Sequence, residues 1–498
     1  MSAIVKTDYR SAYHFSPKAM WMNDPNGLVY FEGEYHLFFQ HHPHGMGMGD
    51  MHWGHAVSRD LATWEELPIA LAPDHFGMIF SGSAVVDWND TTGFFDGEPG
   101  LVAIFTHHLD GKDGAPNIER QSLAYSRDKG RTWIKYEGNP VLEDENGIDF
   151  RDPKVFWHAA TSRWVMIVAC GQTAGLYHSP DLIHWSAGSR FGEGIGSHDG
   201  VWECPDLFPL AVDGEASNMK WVMLVSIGAN PALAEGSRTQ YFTGDFDGAV
   251  FTPDEASRTV RWLDYGRDNY AGVSWSDVPE EDGRRLFIGW MSNWMYAGLT
   301  PAEGFRGAMT IPRELALETR AGVTVLVQRP ARELEAVRKP VHSLKGASLG
   351  KLRKLLDGLR LESFEIKAEI AAGASAGFKV RAGADTETLI GIDGEAQLLY
   401  VDRKASGRHS IHPNFPGRHT AKLEVGSETA TELRIFVDRS SVEAFAGGGQ
   451  AVITDLIFPE PDSTGVDVFA DEEMAFLSLE IYWMDPQSAA SGIQKAEG

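Results

Sequence analysis

The feature that most constrains the fold of this chain is an internal repeat. An extended segment, a turn and a strongly apolar strand follow one another five times. The copies begin at residues 23–25, 80–83, 151–153, 203–206 and 270–272, and their apolar strands lie at 35–39, 101–105, 164–169, 221–226 and 286–290. Repeated units of this kind bury their apolar faces by stacking on their neighbours. Because roughly 50 to 70 residues per copy can hold four strands and long loops, the pattern predicts an all-β fold with a five-bladed β-propeller.

A propeller would bring three acidic residues together. The first strand of each blade lines the central channel, and Asp24, Asp152 and Glu203 each fall on a copy of that strand. Each acid lies next to a proline or one residue away from it. The sequence therefore predicts that carboxylates from three blades converge at one end of the channel.

The repeat fades after Gly307, and a second domain is predicted beyond it. We assign residues 1–315 to the propeller and 316–361 to a linker with a short helix. Short alternating strands then predict a C-terminal β-sandwich over residues 362–485. The small, polar residues 486–498 are expected to form a disordered tail.

Charge and hydropathy exclude several classes of partner. A formal net charge of −26 repels phosphate, so we expect no nucleic acid and no membrane partner, and a neutral substrate instead. Residues 1–8 contain no apolar signal core, and no apolar run is long enough to span a bilayer. We therefore expect a cytoplasmic protein, or a secreted one whose signal has been removed. Cys170 and Cys204 are too few for a disulfide framework and are expected to be free thiols or to form one bridge.

Other kinds of catalytic site fit the sequence poorly. Several histidines lie between residues 36 and 55, but the chain has no His-Glu-x-x-His helix that would indicate a zinc site. The Gly- and Met-rich stretch 45–49 lacks the strand and helix of a nucleotide-binding loop. Ser81 is not a hydrolase nucleophile elbow, because Ile79 and Ser83 stand where glycines are required. We expect neither a metal nor a cofactor.

Neighbouring buried carboxylates suit the cleavage of a glycosidic bond. Their protonation states can be driven apart, so that one keeps a proton while another is ionised. One acid then protonates the leaving oxygen, and a second attacks the anomeric carbon or activates a water. Spacing alone does not distinguish nucleophile from base. Side chains suited to a sugar are Asn23, Gln40, Ser81 and Arg151 as hydroxyl partners, and Trp21, Trp53, Phe80, Trp290 and Trp294 as stacking faces.

Several ordered motifs resemble one enzyme family. They are Trp21-Met22-Asn23-Asp24-Pro25-Asn26-Gly27, Phe38-Phe39-Gln40, residues 51–58, Phe80-Ser81-Gly82-Ser83, Arg151-Asp152-Pro153, Trp202-Glu203-Cys204-Pro205-Asp206, and residues 437–443 and 453–459 near the C-terminus. Together they resemble glycoside hydrolase family 32, which comprises the invertases, levanases, inulinases and related fructan enzymes. The likeness covers almost the whole chain.

The resemblance implies a five-bladed propeller joined to a β-sandwich, which acts as a retaining β-fructofuranosidase. Its substrates would be the terminal fructosyl units of levan, inulin or sucrose, and the protein would be a monomer or homodimer. Asp24 would be the nucleophile, Glu203 the general acid/base and Asp152 the transition-state stabiliser that hydrogen-bonds fructose hydroxyls. Arg151 would help to keep Asp152 ionised. Residues 51–58 and 80–83 are more similar to microbial levanases and exo-inulinases than to plant invertases.

Two alternatives are compatible with the same motifs. In a fructosyltransferase, a sugar rather than water resolves the covalent intermediate, and fructo-oligosaccharides accumulate. A non-catalytic carbohydrate-binding propeller would keep the fold without the chemistry. The presence of all three acids argues against the second alternative.

Overall fold

The computed structural model describes residues 9–112, 115–144, 147, 149–302, 304–424 and 429–486. The predicted tail from residue 487 onward, and the first eight residues considered for a signal, lie outside the described residues. Within the described ranges the single α-helix is Leu349–Leu356, and 3₁₀ turns lie at Ala159–Thr161, Glu255–Arg258, Ala297–Leu299, Arg332–Val337 and Gly447–Gly449. At eight residues, that helix is too short to cross a membrane.

Five antiparallel sheets form the first part of the chain, and each begins with a strand of the sequence repeat. Blade 1 consists of Met20–Phe31, Glu34–His42, His52–Ser58 and Glu65–Leu71; blade 2 of Met78–Asp87, Gly100–Leu109, Ile118–Ser126 and Ile134–Lys135; blade 3 of Phe150–His158, Arg163–Cys170, Thr173–Ser179 and Ser186–Phe191; blade 4 of Trp202–Ala211, Met219–Ile227, Arg238–Phe246 and Phe251–Pro253; blade 5 of Tyr270–Ser274, Arg285–Trp290, Arg313–Arg320 and Val323–Pro330. Short strands Phe305–Arg306 and Leu142–Glu143 extend blades 1 and 2. The predicted five-bladed propeller is confirmed.

The inner strands of the blades pack against one another in a closed ring. Contacts run from blade 1 to blade 2 and onward to blade 5, whose inner strand returns to blade 1. Backbone hydrogen bonds close the ring: Tyr30 N donates to Ser276 O at 3.0 Å, and Ser276 N donates to Leu28 O at 2.9 Å. The five inner strands therefore surround one channel, as a propeller requires.

The second part of the chain is a β-sandwich of two sheets. In spatial order, the six-stranded sheet contains Arg338–Lys345, Phe476–Met484, Phe364–Ile370, Thr431–Val437, Ser441–Ala446 and Ala451–Leu456; the five-stranded sheet contains Arg418–Lys422, Leu398–Ala405, Glu387–Asp393, Ala376–Ala382 and Gly465–Ala470. Apolar side chains from both sheets form one continuous core between them. The predicted sandwich fold is confirmed.

The structure moves the predicted domain boundaries. Much of the predicted linker 316–361 is regular structure: Val323–Pro330 is the outer strand of blade 5, and Arg338–Lys345 is an edge strand of the sandwich. The repeat faded at this point because the outer strands of a blade face solvent on one side. Charged residues such as Glu318 therefore interrupt the apolar pattern.

Buried ion pairs join the propeller to the sandwich. Arg313 of blade 5 is fully buried, and its Nη2 lies 2.5 Å from Oε2 of Glu443 in the sandwich. His14 lies between two sandwich carboxylates, with Nδ1 2.8 Å from Asp438 Oδ2 and Nε2 2.8 Å from Glu443 Oε1. Burial alone would lower the pKa of His14, but hydrogen bonds to Asp438 and Glu443 raise it to about 9. The histidine is therefore a buried cation at neutral pH.

Replacement of His14 by Gln is expected to destabilise the protein by about 3 to 5 kcal/mol at pH 6, because two carboxylates lose a buried cation. The contribution of His14 is fully present below its unfolded-state pKa of 6.5 and is lost as the pH rises through about 9. The difference in unfolding free energy between wild type and variant should therefore be large at pH 6 and small at pH 10, as measured by chemical denaturation.

His184→Gln serves as the control, because the side chain of His184 is 80% exposed. It should change stability by less than about 0.5 kcal/mol at either pH. A difference between wild type and His14→Gln that does not depend on pH would contradict the assignment of a buried imidazolium.

Candidate active site

A bulge interrupts the same region of every inner strand. The pairing of the inner strand with the second strand shifts between Met22 and Pro25, Ile79 and Gly82, Arg151 and Lys154, Glu203 and Asp206, and Tyr270 and Val273. A bulge bends the strand and redirects its side chains. Asp24, Asp152 and Glu203 all lie at a bulge or next to one. Asp152 has a positive φ of 66°, and Cys204 and Ala271, at the corresponding bulge positions of blades 4 and 5, also have positive φ values of 46° and 52°.

Asp24 is held by two hydrogen-bond donors. Asn23 Nδ2 donates to Asp24 Oδ1 at 3.0 Å, and Ser81 Oγ of blade 2 donates to Asp24 Oδ2 at 2.8 Å. Asn23 is fixed in turn, because its Oδ1 accepts a bond of 2.8 Å from Trp21 Nε1. Asp24 is also buried. Both of its carboxylate oxygens are therefore oriented by neighbouring side chains.

Glu203 is held from two neighbouring blades. Arg151 Nη2 donates to Glu203 Oε1 at 2.8 Å, and the Tyr270 hydroxyl donates to Glu203 Oε2. Arg151 also bonds to Asp149 at 2.7 Å and lies 3.3 Å from buried Glu119. The side chain of Glu203 is 21% exposed, whereas Asp24 and Asp152 are buried. Of the three acids, Glu203 is therefore the one most accessible to water.

The thiol of Cys204 lies between the two buried acids. Its Sγ is 3.7 Å from Asp24 Oδ2 and 3.5 Å from Asp152 Oδ2, and its backbone N donates to Asp152 Oδ2 at 2.9 Å. These contacts link blades 1, 3 and 4 directly. Cys170 and Cys204 are both free thiols, which was one of the two predicted states.

Burial governs the protonation of the two inner acids. Burial and the charge of Glu203 raise the pKa of Asp24 to about 6, against the lowering effect of Asn23 and Ser81. Burial raises the pKa of Asp152 to about 8, although the guanidinium of Arg151 acts in the opposite direction. Arg151 was expected to help keep Asp152 ionised, and it does lower the pKa of Asp152, but burial outweighs it. The direct hydrogen bond of the arginine goes to Glu203.

The residues predicted to contact sugar divide into two groups. Asn23, Ser81 and Arg151 bond directly to the acids, as described above. Gln40 is buried, and its Nε2 donates to Asn26 Oδ1 at 2.7 Å. Phe80 is half-buried and stacks on the ring of His108 at 4.0 Å between centroids. These positions are consistent with the sequence expectation of a polar site around the acids.

Trp53 and Trp290 are placed differently from the expectation. The exposed fraction of Trp53 is 0% and that of Trp290 is 1%, so neither ring offers an open face to a sugar. Trp53 packs on Phe38 in the core, and Trp290 packs on Trp294. The sequence shows that these residues are aromatic, but it does not show whether their rings face the core or the site.

Several residues around the acids were not predicted from the sequence. A cavity of about 600 Å³ is lined by Glu203, Arg151 and Trp294, which were predicted from the sequence. Two residues of the sandwich, His412 and Asn414, also line it and were not predicted. The sandwich contribution follows from tertiary packing and has no sequence signature. Tyr270 does have one, because it is the first residue of the fifth copy of the sequence repeat, as Arg151 and Glu203 are the first residues of the third and fourth copies.

Comparison with known proteins identifies the family. Residues 14–330 match the family model described as the glycosyl hydrolases family 32 N-terminal domain, and residues 333–483 match the family 32 C-terminal domain. The chain belongs to glycosyl hydrolase family 32. It is a glycoside hydrolase, and the resemblance stated from the motifs is confirmed.

Relatives in this family include the levanase of Bacillus subtilis (strain 168), which is 50% identical over 476 residues; the match covers 94% of this chain and 69% of that protein. The extracellular exo-inulinase of Aspergillus awamori is 39% identical over 492 residues, covering 91% of this chain and 90% of that protein. The crystal structure of the Aspergillus awamori exo-inulinase superposes with a TM-score of 0.86 at 35% identity, covering 96% of this chain and 99% of the other.

Proposed function

We propose that this glycoside hydrolase is a retaining β-fructofuranosidase that releases terminal fructosyl units from fructans such as levan and inulin, and from sucrose. The observation that carries the proposal is the convergence of three carboxylates at one mouth of the propeller channel, each with a different environment. The names of its relatives, levanase and exo-inulinase, support the substrate class and the attack on chain ends.

In the first step, Asp24 attacks the anomeric carbon of the terminal fructosyl unit. A bond forms between an Asp24 oxygen and that carbon, the glycosidic bond breaks, and Glu203 gives its proton to the leaving oxygen. Asn23 and Ser81 support this assignment, because their donors fix the orientation of the Asp24 carboxylate before attack. An oriented nucleophile loses less entropy on reaching the transition state.

In the second step, water replaces the leaving group. Glu203, now ionised, takes a proton from the water while the water oxygen attacks the anomeric carbon. The bond between that carbon and Asp24 breaks, and Asp24 is released as a carboxylate. Glu203 is partly exposed, which suits the role of general acid/base, because this residue must contact both the leaving oxygen and an incoming water. Arg151 and Tyr270 hold its two oxygens in place during both steps.

Asp152 is proposed to stabilise the transition state through the fructose hydroxyls. Burial raises the pKa of Asp152 to about 8, which favours its protonated form, and a protonated carboxyl group can donate a hydrogen bond as well as accept one. The backbone N of Cys204 fixes one of its oxygens, which orients the carboxyl group toward the channel.

The proposed role of Asp24 predicts the acid side of the pH profile. The nucleophile must be ionised, so kcat/KM is expected to fall as the pH drops below about 6. Ser81→Ala removes a donor that lowers this pKa, and the acid limb should therefore move to higher pH in that variant. Steady-state rates on sucrose between pH 4 and 8 measure the acid limb of the wild type and of Ser81→Ala. An acid limb that does not move in Ser81→Ala would contradict the assignment.

A time course on sucrose, raffinose, inulin and levan tests the activity itself. The proposal predicts free fructose as the first product from every fructan, with no oligosaccharide of intermediate length released early. At high sucrose, fructose should still exceed the oligosaccharide products. Longer oligosaccharides as the main product would instead identify a transferase, and binding without any release would identify a non-catalytic protein.

A further inference from the structure

The channel has a second mouth, opposite the three acids, and it opens into a cavity of about 740 Å³. Residues near the ends of the inner strands line it, including Val86 of blade 2, His158 of blade 3 and Pro209 of blade 4. Asp152 and His158 lie on the same inner strand, six residues apart. At about 3.3 Å per residue, the two sites are separated by ~20 Å. The volume lies in the range of ligand-binding pockets.

Two exposed tryptophans flank this cavity. Trp88 is 54% exposed and Trp157 is 39% exposed, and among the described residues only one further tryptophan, Trp483 at 45%, has an exposed fraction in this range. Large aromatic rings left exposed around a concavity are typical of a binding site. Since catalysis takes place at the other mouth, the reaction does not account for these rings.

Both rings are held in fixed positions. Trp88 Nε1 donates to Asp277 Oδ1 at 2.9 Å, and the other oxygen of Asp277 accepts from Val86 N at 2.9 Å. Trp157 packs edge-on against Trp164, with ring centroids 5.3 Å apart. A platform fixed before binding costs little conformational entropy when a ligand stacks on it.

Two cations and three anions line the cavity. Lys154 is buried, with its Nζ 3.7 Å from Asp206 Oδ2, and Arg285 and Asp277 supply a second cation and a second anion. The third anion, Glu280, is exposed to solvent. Arg285 donates from Nη1 to Trp275 O at 3.2 Å, and its guanidinium lies 4.9 Å from the ring centroid of Phe208. Neighbouring charges of both signs disfavour a strongly charged ligand, whereas they offer both donors and acceptors to hydroxyl groups.

We propose that this distal mouth binds a neutral oligosaccharide, with sugar rings stacked on Trp88 and Trp157. The identification of that oligosaccharide as a second segment of the fructan substrate rests on the proposed function. The distal mouth then retains a polymeric substrate on the enzyme while a chain end is cleaved at the other mouth. Short substrates such as sucrose gain nothing from it.

The test compares Trp88→Ala/Trp157→Ala with Trp483→Ala, a matched control on the sandwich. The double variant is expected to raise KM for levan about fivefold, which corresponds to about 1 kcal/mol, while kcat/KM on sucrose changes less than twofold. Trp483→Ala should change neither value. Unchanged KM for levan and inulin in the double variant would overturn the proposal.

Binding provides a measurement that does not depend on turnover. In a Glu203→Gln background, calorimetry with a fructo-oligosaccharide is expected to show two sites, of which the double tryptophan substitution removes one. If the wild type fails to hydrolyse fructans, the proposed function fails separately, and the same titration is run with malto- and xylo-oligosaccharides. If the double substitution removes no binding site for any of these neutral oligosaccharides, the proposal of a distal site is wrong.

Folding is checked by circular dichroism. If the double variant does not fold, the single variants Trp157→Ala and Trp88→Leu replace it, because each removes one aromatic platform and leaves the other in place. Each single variant should then raise KM for levan at least twofold. If KM for levan is unchanged in either variant, the proposal is wrong. If the tryptophan variants lose capture of a protein partner but bind oligosaccharide like the wild type, the surface is a protein interface and the proposal is wrong.

Discussion

Asp24→Asn is expected to reduce kcat on sucrose by at least about 10⁴-fold, because the amide cannot form the covalent bond to the anomeric carbon. The geometry should survive, since Asn retains one oxygen that can accept from Asn23 or Ser81. Thermal stability should be unchanged or higher. A carboxylate whose folded-state pKa of about 6 exceeds its ordinary value of 3.8 destabilises the fold once ionised, and the amide removes that charge.

Asp181→Asn is the matched control for this substitution. Asp181 lies in an outer turn of blade 3, where Oδ1 accepts from the backbone of Ile183 and His184. Its loss should change stability slightly and leave kcat unchanged. Near-normal turnover in Asp24→Asn, with correct folding shown by circular dichroism, would exclude Asp24 as the nucleophile.

Glu203→Gln is expected to lower kcat on sucrose by about 10² to 10⁴-fold, since the leaving oxygen no longer receives a proton. The size of the loss should depend on the leaving group. A fructosyl donor with an activated leaving group needs no protonation, so formation of the intermediate should recover while its hydrolysis stays slow. Stopped-flow measurement of the first turnover separates the two steps.

The donor with the activated leaving group is therefore its own control. An equal loss of rate on both donors would mean that Glu203 does not protonate the leaving oxygen. Tyr270→Phe gives a second comparison: it removes a hydroxyl that bonds to Glu203 and leaves the carboxyl group in place. That variant should retain more activity than Glu203→Gln on sucrose.

The sequence predicts the architecture because a propeller repeats one unit. Each copy carries its own apolar strand, and the first strands must share the channel, so the sequence alone predicts that Asp24, Asp152 and Glu203 lie together. The outer strands of blade 5 escaped detection because their solvent-facing positions are charged. A local pattern is informative when burial enforces it and uninformative where one face meets water.

The details of the site depend on properties that no local pattern carries. The bulges that aim the acids are shifts in pairing between strands, and residue types do not encode them directly. Trp53 and Trp290 are aromatic, as a sugar platform requires, yet both are buried. His412 reaches the catalytic cavity only because the sandwich packs against the propeller. Tyr270 could have been found, because it occupies the repeat position of Glu203.

The most direct test of the proposed mechanism is to trap the covalent intermediate. Glu203→Gln is mixed with a fructosyl donor that carries an activated leaving group, quenched in acid within seconds, digested and analysed by mass spectrometry. The mechanism predicts that a peptide containing residues 20–31 gains the mass of one fructosyl unit, and that fragmentation places it on Asp24. Rapid turnover with no adduct on any peptide, or an adduct on a residue other than Asp24, would contradict it.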